Sequence, residues 1–523
     1  MSSALETATM RDQMTHRAAA AACVTSIAGL LLLISPLHLA GALLLLAGVV
    51  AIGLLRPTWA LWLVLLLFAV HPLSTKIAEV NFGVTGMSLI LFSAWKEAAL
   101  AAALLAEFGA LAALYRAGHR PRLQPALMDM VGAAFVVLIV VGFVGRHDAL
   151  ALNQVRLLLF PVGVYVAIRL RPVDTSVYFK AMTIIAVPIA LFAIVQSEAF
   201  GWSFVGTYWG TPSLPIPSTF TAQHLVGPRA AGMYGSPNEL GFALSAWGFM
   251  AAALVAMNPL KRRWVALALV PILVALAVTF SRSAIVACAV SLVVLLVAIG
   301  RLSPSPRRAL TYLSLAIVPV IVLSGGIYFA RGGTALIAST IASISFSSSS
   351  ADTGAPGPGD TSTSLPSGGP VDPSTQGHLD SLSAAWSMVA SHPLGIGLGT
   401  VGSRGVPETT ELPQYVLESY YLSMGVMLGW LGLGWAVLFA LGLLITAGRA
   451  IRRGSTTVGL ALLALSISLA IVSYWLPTIM EPEMAILPWS LAALAVSPLT
   501  GIASGASAST GTAATPEPAA ATA

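Results

Sequence analysis

The sequence predicts an all-α, polytopic integral membrane protein of about 12–14 transmembrane helices with one large extracytoplasmic loop. Three observations carry that expectation. Only 9% of the 523 residues are charged and 57% are hydrophobic, whereas a soluble domain carries about 25% charged residues and needs them as polar surface. Apolar runs of near 20 residues recur along the chain, each long enough to cross a hydrocarbon core of about 30 Å. Few runs alternate with period two and turn signals do not recur every ~10 residues, which disfavours a β-barrel.

Residues 1–17 are polar and are expected to be a cytoplasmic N-terminal segment. The apolar stretch that follows runs on to Leu55 with one break at Ser35-Pro36, which makes two helices and is too long for the apolar region of a signal peptide. Fourteen apolar segments follow one another: 18–35, 37–55, 58–73, 86–115, 126–145, 150–168, 181–200, 236–257, 264–280, 284–300, 309–330, 418–447, 457–475 and 484–498. The first eleven form a bundle over 18–330 and the last three lie within 418–498. Between them is the large outer loop, 331–417. Its part 340–377 is rich in Ser, Gly, Pro and Asp and cannot bury enough apolar surface to fold, so it reads as a flexible insert. Residues 379–389 then place apolar side chains at helical spacing, as a helix lying on the membrane surface would. The Ala/Thr/Gly/Ser-rich tail, 499–523, is expected to be a disordered cytoplasmic segment.

Charge checks the segmentation. With the N-terminus inside and the segments alternating, the inside loops hold 18 of the 26 Lys and Arg, from Arg11 and Arg17 to Arg449, Arg452 and Arg453. This is the positive-inside pattern, and the even segment count puts the C-terminus inside as well. The other eight, Lys76, Lys96, Arg146, Arg156, Arg229, Arg282, Arg331 and Arg404, fall in outside loops or in the membrane toward the outside. A cation there is costly and needs a functional or pairing reason, and an anionic ligand such as a phosphate supplies one. The net charge of +6 therefore reports membrane anchoring and this outer cluster, and nucleic acid is set aside. Cys23 and Cys288 lie in apolar runs with no Cys or His at metal-ligand spacing, and there is no DxD pair among the 20 acidic residues, so no metal is expected.

Four outer segments stand out. In the first, Arg229 precedes Ser236-Pro237-Asn238 at a helix start, where a helix N-terminus favours anions; Arg229 could equally snorkel to lipid headgroups. In the second, Ser281-Arg282-Ser283 fill a tight turn between two spans, where hydroxyls flank a cation that suits phosphate oxygens; an interfacial anchor would look the same. The third runs from His392 to Gly399 with three alternating glycines, which imply a close-packed turn, and Arg404 follows. The fourth is Glu418-Ser419-Tyr420-Tyr421 at the start of a long span. There the carboxylate either complements the helix dipole or acts as a general base.

Taken in order, these segments resemble the O-antigen ligase / O-antigen polymerase family of bacterial membrane glycan-assembly proteins. Arg229 with Ser236-Pro237-Asn238, the Ser281-Arg282-Ser283 turn and the stretch from His392 to Gly399 look like its successive elements. Trp95-Lys96-Glu97 and Asn153-Gln154-Val155-Arg156 are similar to weaker upstream features, and the resemblance spans about residues 80–450. Ligases of the family carry a His where the loop meets the long helix. Here Glu418-Ser419 stands there, with His224 and His392 nearby but not at the matching position.

The resemblance implies a metal-independent glycosyltransferase of the GT-C kind in the bacterial inner membrane. It would use an undecaprenyl-diphosphate-linked oligosaccharide at the outer face, require no cofactor, and work beside a chain-length regulator. In the mechanism it suggests, Arg229 and Arg282 hold the donor diphosphate; the catalytic His of a ligase cannot be carried over, and either Glu418 takes its role at the acceptor hydroxyl or the chain is a polymerase with different chemistry. Arg404, Arg156, Lys96 and His392 would bind substrate, with Asn238, Ser281, Ser283 and Tyr421 around them. A polymerase is favoured because Glu418-Ser419 departs from the ligase pattern, and a ligase is the alternative. A transporter of lipid-linked glycans is the alternative from another class. It would be expected to place cations on both sides of the midplane and to show inverted repeats.

Overall fold

The computed structural model describes residues 2–119, 124–210, 227–331, 373–401 and 418–496. Every regular element among them is helical. The α-helices are α1 (Ser2–Leu33), α2 (His38–Leu55), α3 (Pro57–Leu67), α4 (His71–Phe82), α5 (Gly86–Ser93), α6 (Trp95–Arg116), α7 (Leu127–Gly145), α8 (Ala149–Leu170) and α9 (Thr175–Val195). They continue with α10 (Gly201–Tyr208), α11 (Pro237–Met257), α12 (Pro259–Val278), α13 (Arg282–Leu302), α14 (Pro306–Ala330), α15 (Pro373–Ser391), α16 (Tyr420–Arg452), α17 (Thr456–Trp475) and α18 (Pro482–Leu494).

Twelve helical stretches among the described residues are long and apolar enough to cross a membrane. The expected segments 264–280 and 484–498 form helices outside that set. Helix α12 opens with Lys261, Arg262 and Arg263. Helix α18 has 13 residues, about 20 Å at 1.5 Å per residue. Two expected boundaries move. The run 86–115 breaks at Ala94 into α5 and α6, and 58–73 extends through a short 3-10 turn to a single stretch, Pro57–Phe82.

The helix starts follow their cap residues. Asp148, Asp174, Ser281 and Ser419 each accept a hydrogen bond from a backbone N–H in the first turn of α8, α9, α13 and α16, satisfying donors that have no partner within the helix. Pro237, at the first position of α11, fits where no N–H is needed.

The centre of the bundle is α11, α17 and α18. From Leu240 to Ala256 every residue of α11 is buried, and α18 is buried from Pro482 to Ala493; a helix that is apolar all round belongs in the interior. Helices α12, α13, α14, α9, α8 and α16 pack against them. Helices α1 and α2 form a tight pair at one side, where a Cβ on Gly29, Gly41 or Gly48 would meet the facing helix; small residues let membrane helices approach closely.

Alternating helices give the bundle two ends. One is basic, and three of its cations have carboxylate partners: Arg169 with Asp129 at 2.7 Å, Arg171 with Glu107 at 2.9 Å and Arg56 with Asp12 at 2.9 Å. The other, here the loop end, carries Lys76, Lys96, Arg146, Arg156, Arg229, Arg282, Arg331, α15 and the start of α16. The insert expected at 340–377 lies outside the described residues as far as 372, and 373–377 belong to α15, which Pro373 begins. Arg404, His224 and the tail from 497 also lie outside them.

Candidate functional site

At the loop end two segments distant in sequence are stitched together. The Arg229 Nε donates to the Thr279 carbonyl at 2.9 Å, and its Nη2 donates to the Asn238 Oδ1 at 3.1 Å. The Ser281 hydroxyl donates to the same Asn238 oxygen at 2.7 Å. Alongside, the Ala230 N–H donates to the Val278 carbonyl at 2.9 Å. Asn238 therefore serves as a common acceptor between the Arg229 loop and the turn before α13, and Ser283 adds a hydroxyl 3.4 Å from that of Ser281. Phe280 makes the turn possible with φ 48°, the one positive φ at a non-glycine among the described residues; such strain persists only where packing over-determines it.

Electrostatics agree with this geometry. Arg229 is part-buried, and its removal from water together with the nearby Arg282 guanidinium pushes its pKa down to about 10. It stays charged at neutral pH at an energetic cost, and an anion between the two guanidinium groups would offset that cost.

The Arg229 loop is held from behind by the end of α9, which finishes in a π turn, Gln196–Phe200. The buried Gln196 accepts from the Ala231 and Gly232 N–H groups at 2.9 and 3.2 Å. The Ser197 hydroxyl donates to the Pro228 carbonyl at 2.9 Å. Sequence reasoning passed over both residues. The signal that could have found them is the polar triplet Gln196-Ser197-Glu198 at the end of an apolar run.

Lys96 lies deeper, in an ion pair with Glu483 of 2.6 Å, with both side chains 5% exposed. Its neighbours hold other elements: Trp95 donates to the His71 ring at 3.2 Å, and Glu97 stands 3.7 Å from Arg156. Burial and the Glu483 and Glu239 carboxylates raise the Tyr234 phenol well above its ordinary value. The Lys96–Glu483 pair therefore backs the loop that carries Arg229.

The remaining candidates stand around α16. The Glu418 N–H donates to the Ser381 hydroxyl of α15 at 3.2 Å, and one Glu418 carboxylate oxygen is shielded from solvent. Ser419 caps α16 and donates to the Ser473 carbonyl at the end of α17 at 3.3 Å. Tyr420 is buried and Tyr421 is half-buried beside it. Helix α17 also packs on α11 and α13, so the Glu418 turn and the Arg229–Arg282 pair flank one helix at the same end.

The alternating glycines have a clear structural use. Helix α16 breaks at Gly429, with φ 67° and ψ −158°, and residues 393–397 lie in the break. Ile396 and Gly397 N–H groups donate to the Val426 and Met427 carbonyls at 2.8 and 3.1 Å, and Trp430 N–H donates to the Pro393 carbonyl at 3.0 Å. His392, just ahead, is exposed, with its Nδ1 3.0 Å from the Ser391 hydroxyl.

Residues 267–434 match the family model described as O-Antigen ligase. The match takes in the Ser281-Arg282-Ser283 turn, α15, Glu418 and the break at Gly429, while Arg229, Asn238, Lys96 and Arg156 precede it. A comparison with curated proteins finds no match.

Proposed function

We propose that this membrane protein, which over residues 267–434 belongs to the O-antigen ligase family, is a polymerase joining undecaprenyl-diphosphate-linked oligosaccharides at the outer face of a bacterial inner membrane. The observation that carries the proposal is the tie of Arg229, through Asn238 and the Thr279 carbonyl, to the turn that presents Arg282, whose charge acts on Arg229. Two guanidinium groups and two hydroxyls at the end of a helical bundle suit a diphosphate whose lipid tail lies in the bilayer.

In this mechanism the acceptor sugar hydroxyl attacks the anomeric carbon of the donor. The new glycosidic bond forms as the bond from the anomeric carbon to the diphosphate oxygen breaks. The diphosphate leaves with the electron pair, and Arg229 and Arg282 stabilise its growing charge. Glu418 takes the proton from the attacking hydroxyl. The Glu418 turn and the Arg229–Arg282 pair lie at the same end of α17, on helices that pack against it. His392, Tyr421, Arg156 and Arg404 are proposed to contact the glycan. Lys96 acts through its ion pair with Glu483, beneath the Arg229 loop.

A ligase reading is favoured by the description of the matched family and differs only in the acceptor. The test is a polymerisation assay in membranes with a lipid-linked oligosaccharide, at matched expression. Arg229→Ala and Arg282→Ala are each expected to lower the rate about 10²–10³-fold, as loss of preorganised charge does at other sites, and Glu418→Gln is expected to abolish it. Wild-type rate in Glu418→Gln would remove Glu418 as the base. Wild-type function with both arginines changed would overturn the enzyme reading.

A further inference from the structure

Arg331 is the residue that ends α14, and its side chain turns into the protein, 7% exposed. Its Nη2 donates to the Pro228 carbonyl at 2.7 Å. Its Nη1 donates to the Ser197 hydroxyl at 3.0 Å and to the Glu198 carboxylate at 3.2 Å. Its guanidinium plane lies over the Phe280 ring, 4.9 Å from the centroid. Pro228 immediately precedes Arg229, and Phe280 stands two residues before Arg282. One side chain thus grips the backbone that carries the first arginine and the ring that braces the turn of the second.

We propose that Arg331, with Glu198 as its counter-ion, is a positioning residue that sets the separation of Arg229 and Arg282. This deepens the diphosphate reading above and rests on it.

Three features separate this role from plain packing. An ion pair whose carboxylate is 39% exposed contributes little to stability, so holding the loop alone does not call for a charge here. The contacts need a planar fork that serves three acceptors and also stacks on a ring, which lysine cannot reproduce. The chain also leaves room for that fork: Gly227 has φ 93°, and a Cβ there would stand 2.8 Å from Nη2. Phe280, held in its left-handed conformation, contacts both Arg331 and Tyr328, the latter at 5.6 Å between centroids. Glu198 matters for the field as well as for the hold. It offsets the charge of the third guanidinium.

The test uses full-length protein in nanodiscs and undecaprenyl diphosphate as the binding probe, reading both the dissociation constant and the number of sites. Wild type is compared with Arg229→Ala, Arg331→Gln, Arg331→Lys and Glu198→Gln, and with Arg453→Gln at the basic end as a control. Arg331→Gln and Arg331→Lys are expected to weaken binding roughly 10- to 100-fold with one site per folded protein retained, because small displacements of aligned groups are that costly. Glu198→Gln is expected to weaken it in the same direction and serves where Arg331 variants do not accumulate. A purely structural role lowers the number of sites and leaves the dissociation constant of the remainder unchanged, and that result overturns the proposal. Rescue by Arg331→Lys also overturns it. If Arg229→Ala binds the probe as tightly as wild type, the diphosphate reading itself fails, and this inference with it.

Discussion

Lys96 and Glu483 are 387 positions apart in the chain and 2.6 Å apart in space. Both are buried, and the ammonium also faces the Phe160 ring at 5.7 Å. Removing one partner leaves the other charge in an apolar interior, at a cost of about 3–5 kcal/mol, whereas an apolar pair of similar volume is close to neutral. Glu483→Gln is therefore expected to lower the melting temperature in detergent sharply, and the double change Lys96→Met with Glu483→Met to recover most of the loss. Equal melting temperatures for wild type and Glu483→Gln would contradict the pair. Lys96 was legible as an anomaly, because a cation within an apolar run near the outer end of a span is conspicuous. Its partner was not, because Glu483 follows Pro482 and reads as an ordinary helix-start acid. The same limit applies to Arg229 and Arg282. Their motifs are visible locally, but the Thr279 carbonyl that receives Arg229 belongs to a different segment and has no signature of its own. Gln196 and Arg331 act through backbone carbonyls and N–H groups in the same way, and such partners carry no side-chain pattern to read.

At the scale of elements, the break in α16 is the least replaceable feature of the loop end. A Cβ on Gly429 would overlap the Pro393 carbonyl and stand 2.7 Å from the Leu394 backbone, and φ 67° disfavours any other residue. Gly395 meets the break from the other side, where a Cβ would stand 2.6 Å from the Gly429 nitrogen. Gly434, one turn further on, has open space around it. Gly429→Ala is expected to cost at least about 2 kcal/mol from backbone strain alone, with further loss from the overlap. Gly434→Ala is expected to stabilise by up to about 1 kcal/mol through helix propensity. Thermal unfolding of the two purified variants checks this, and equal tolerance at both positions would rule out the threaded arrangement. The glycine spacing predicted a close-packed turn, which the structure contains. It could not identify the surface packed against, because that surface is an irregularity in a helix whose sequence reads as one continuous apolar run. The division of 86–115 was hidden for a related reason: Ala94, where it breaks, is neither Gly nor Pro.

For the whole molecule, which residues share an end depends on whether every helix in the alternation crosses. Helix α12 is the doubtful one, since three basic residues open it. If α12 did not run from one end of the bundle to the other, Arg229 and the turn holding Arg282 would lie at opposite ends. The hydrogen bonds from Arg229 to the Thr279 carbonyl and from Ala230 to the Val278 carbonyl place them together, so α12 runs the full length beside α9, α11 and α14. With that helix counted, the basic loops between α11 and α12, α13 and α14, and α16 and α17 share one end, and Arg229, Arg282 and Arg331 share the other. In the proposed orientation, which follows the positive-inside bias, the basic end would face the cytoplasm and the arginine cluster the outside. Cysteine labelling in intact cells tests the assignment, with Cys23 and Cys288 first replaced by Ala. Ser391→Cys, exposed at the loop end, is expected to react with a membrane-impermeant thiol reagent applied outside. Ser455→Cys, exposed between α16 and α17, is expected to react only after the membrane is opened. The reverse pattern would put Arg229 and Arg282 on the cytoplasmic side, where a donor presented at the outer face could not reach them, and the glycan-polymerase reading would have to be abandoned with the orientation.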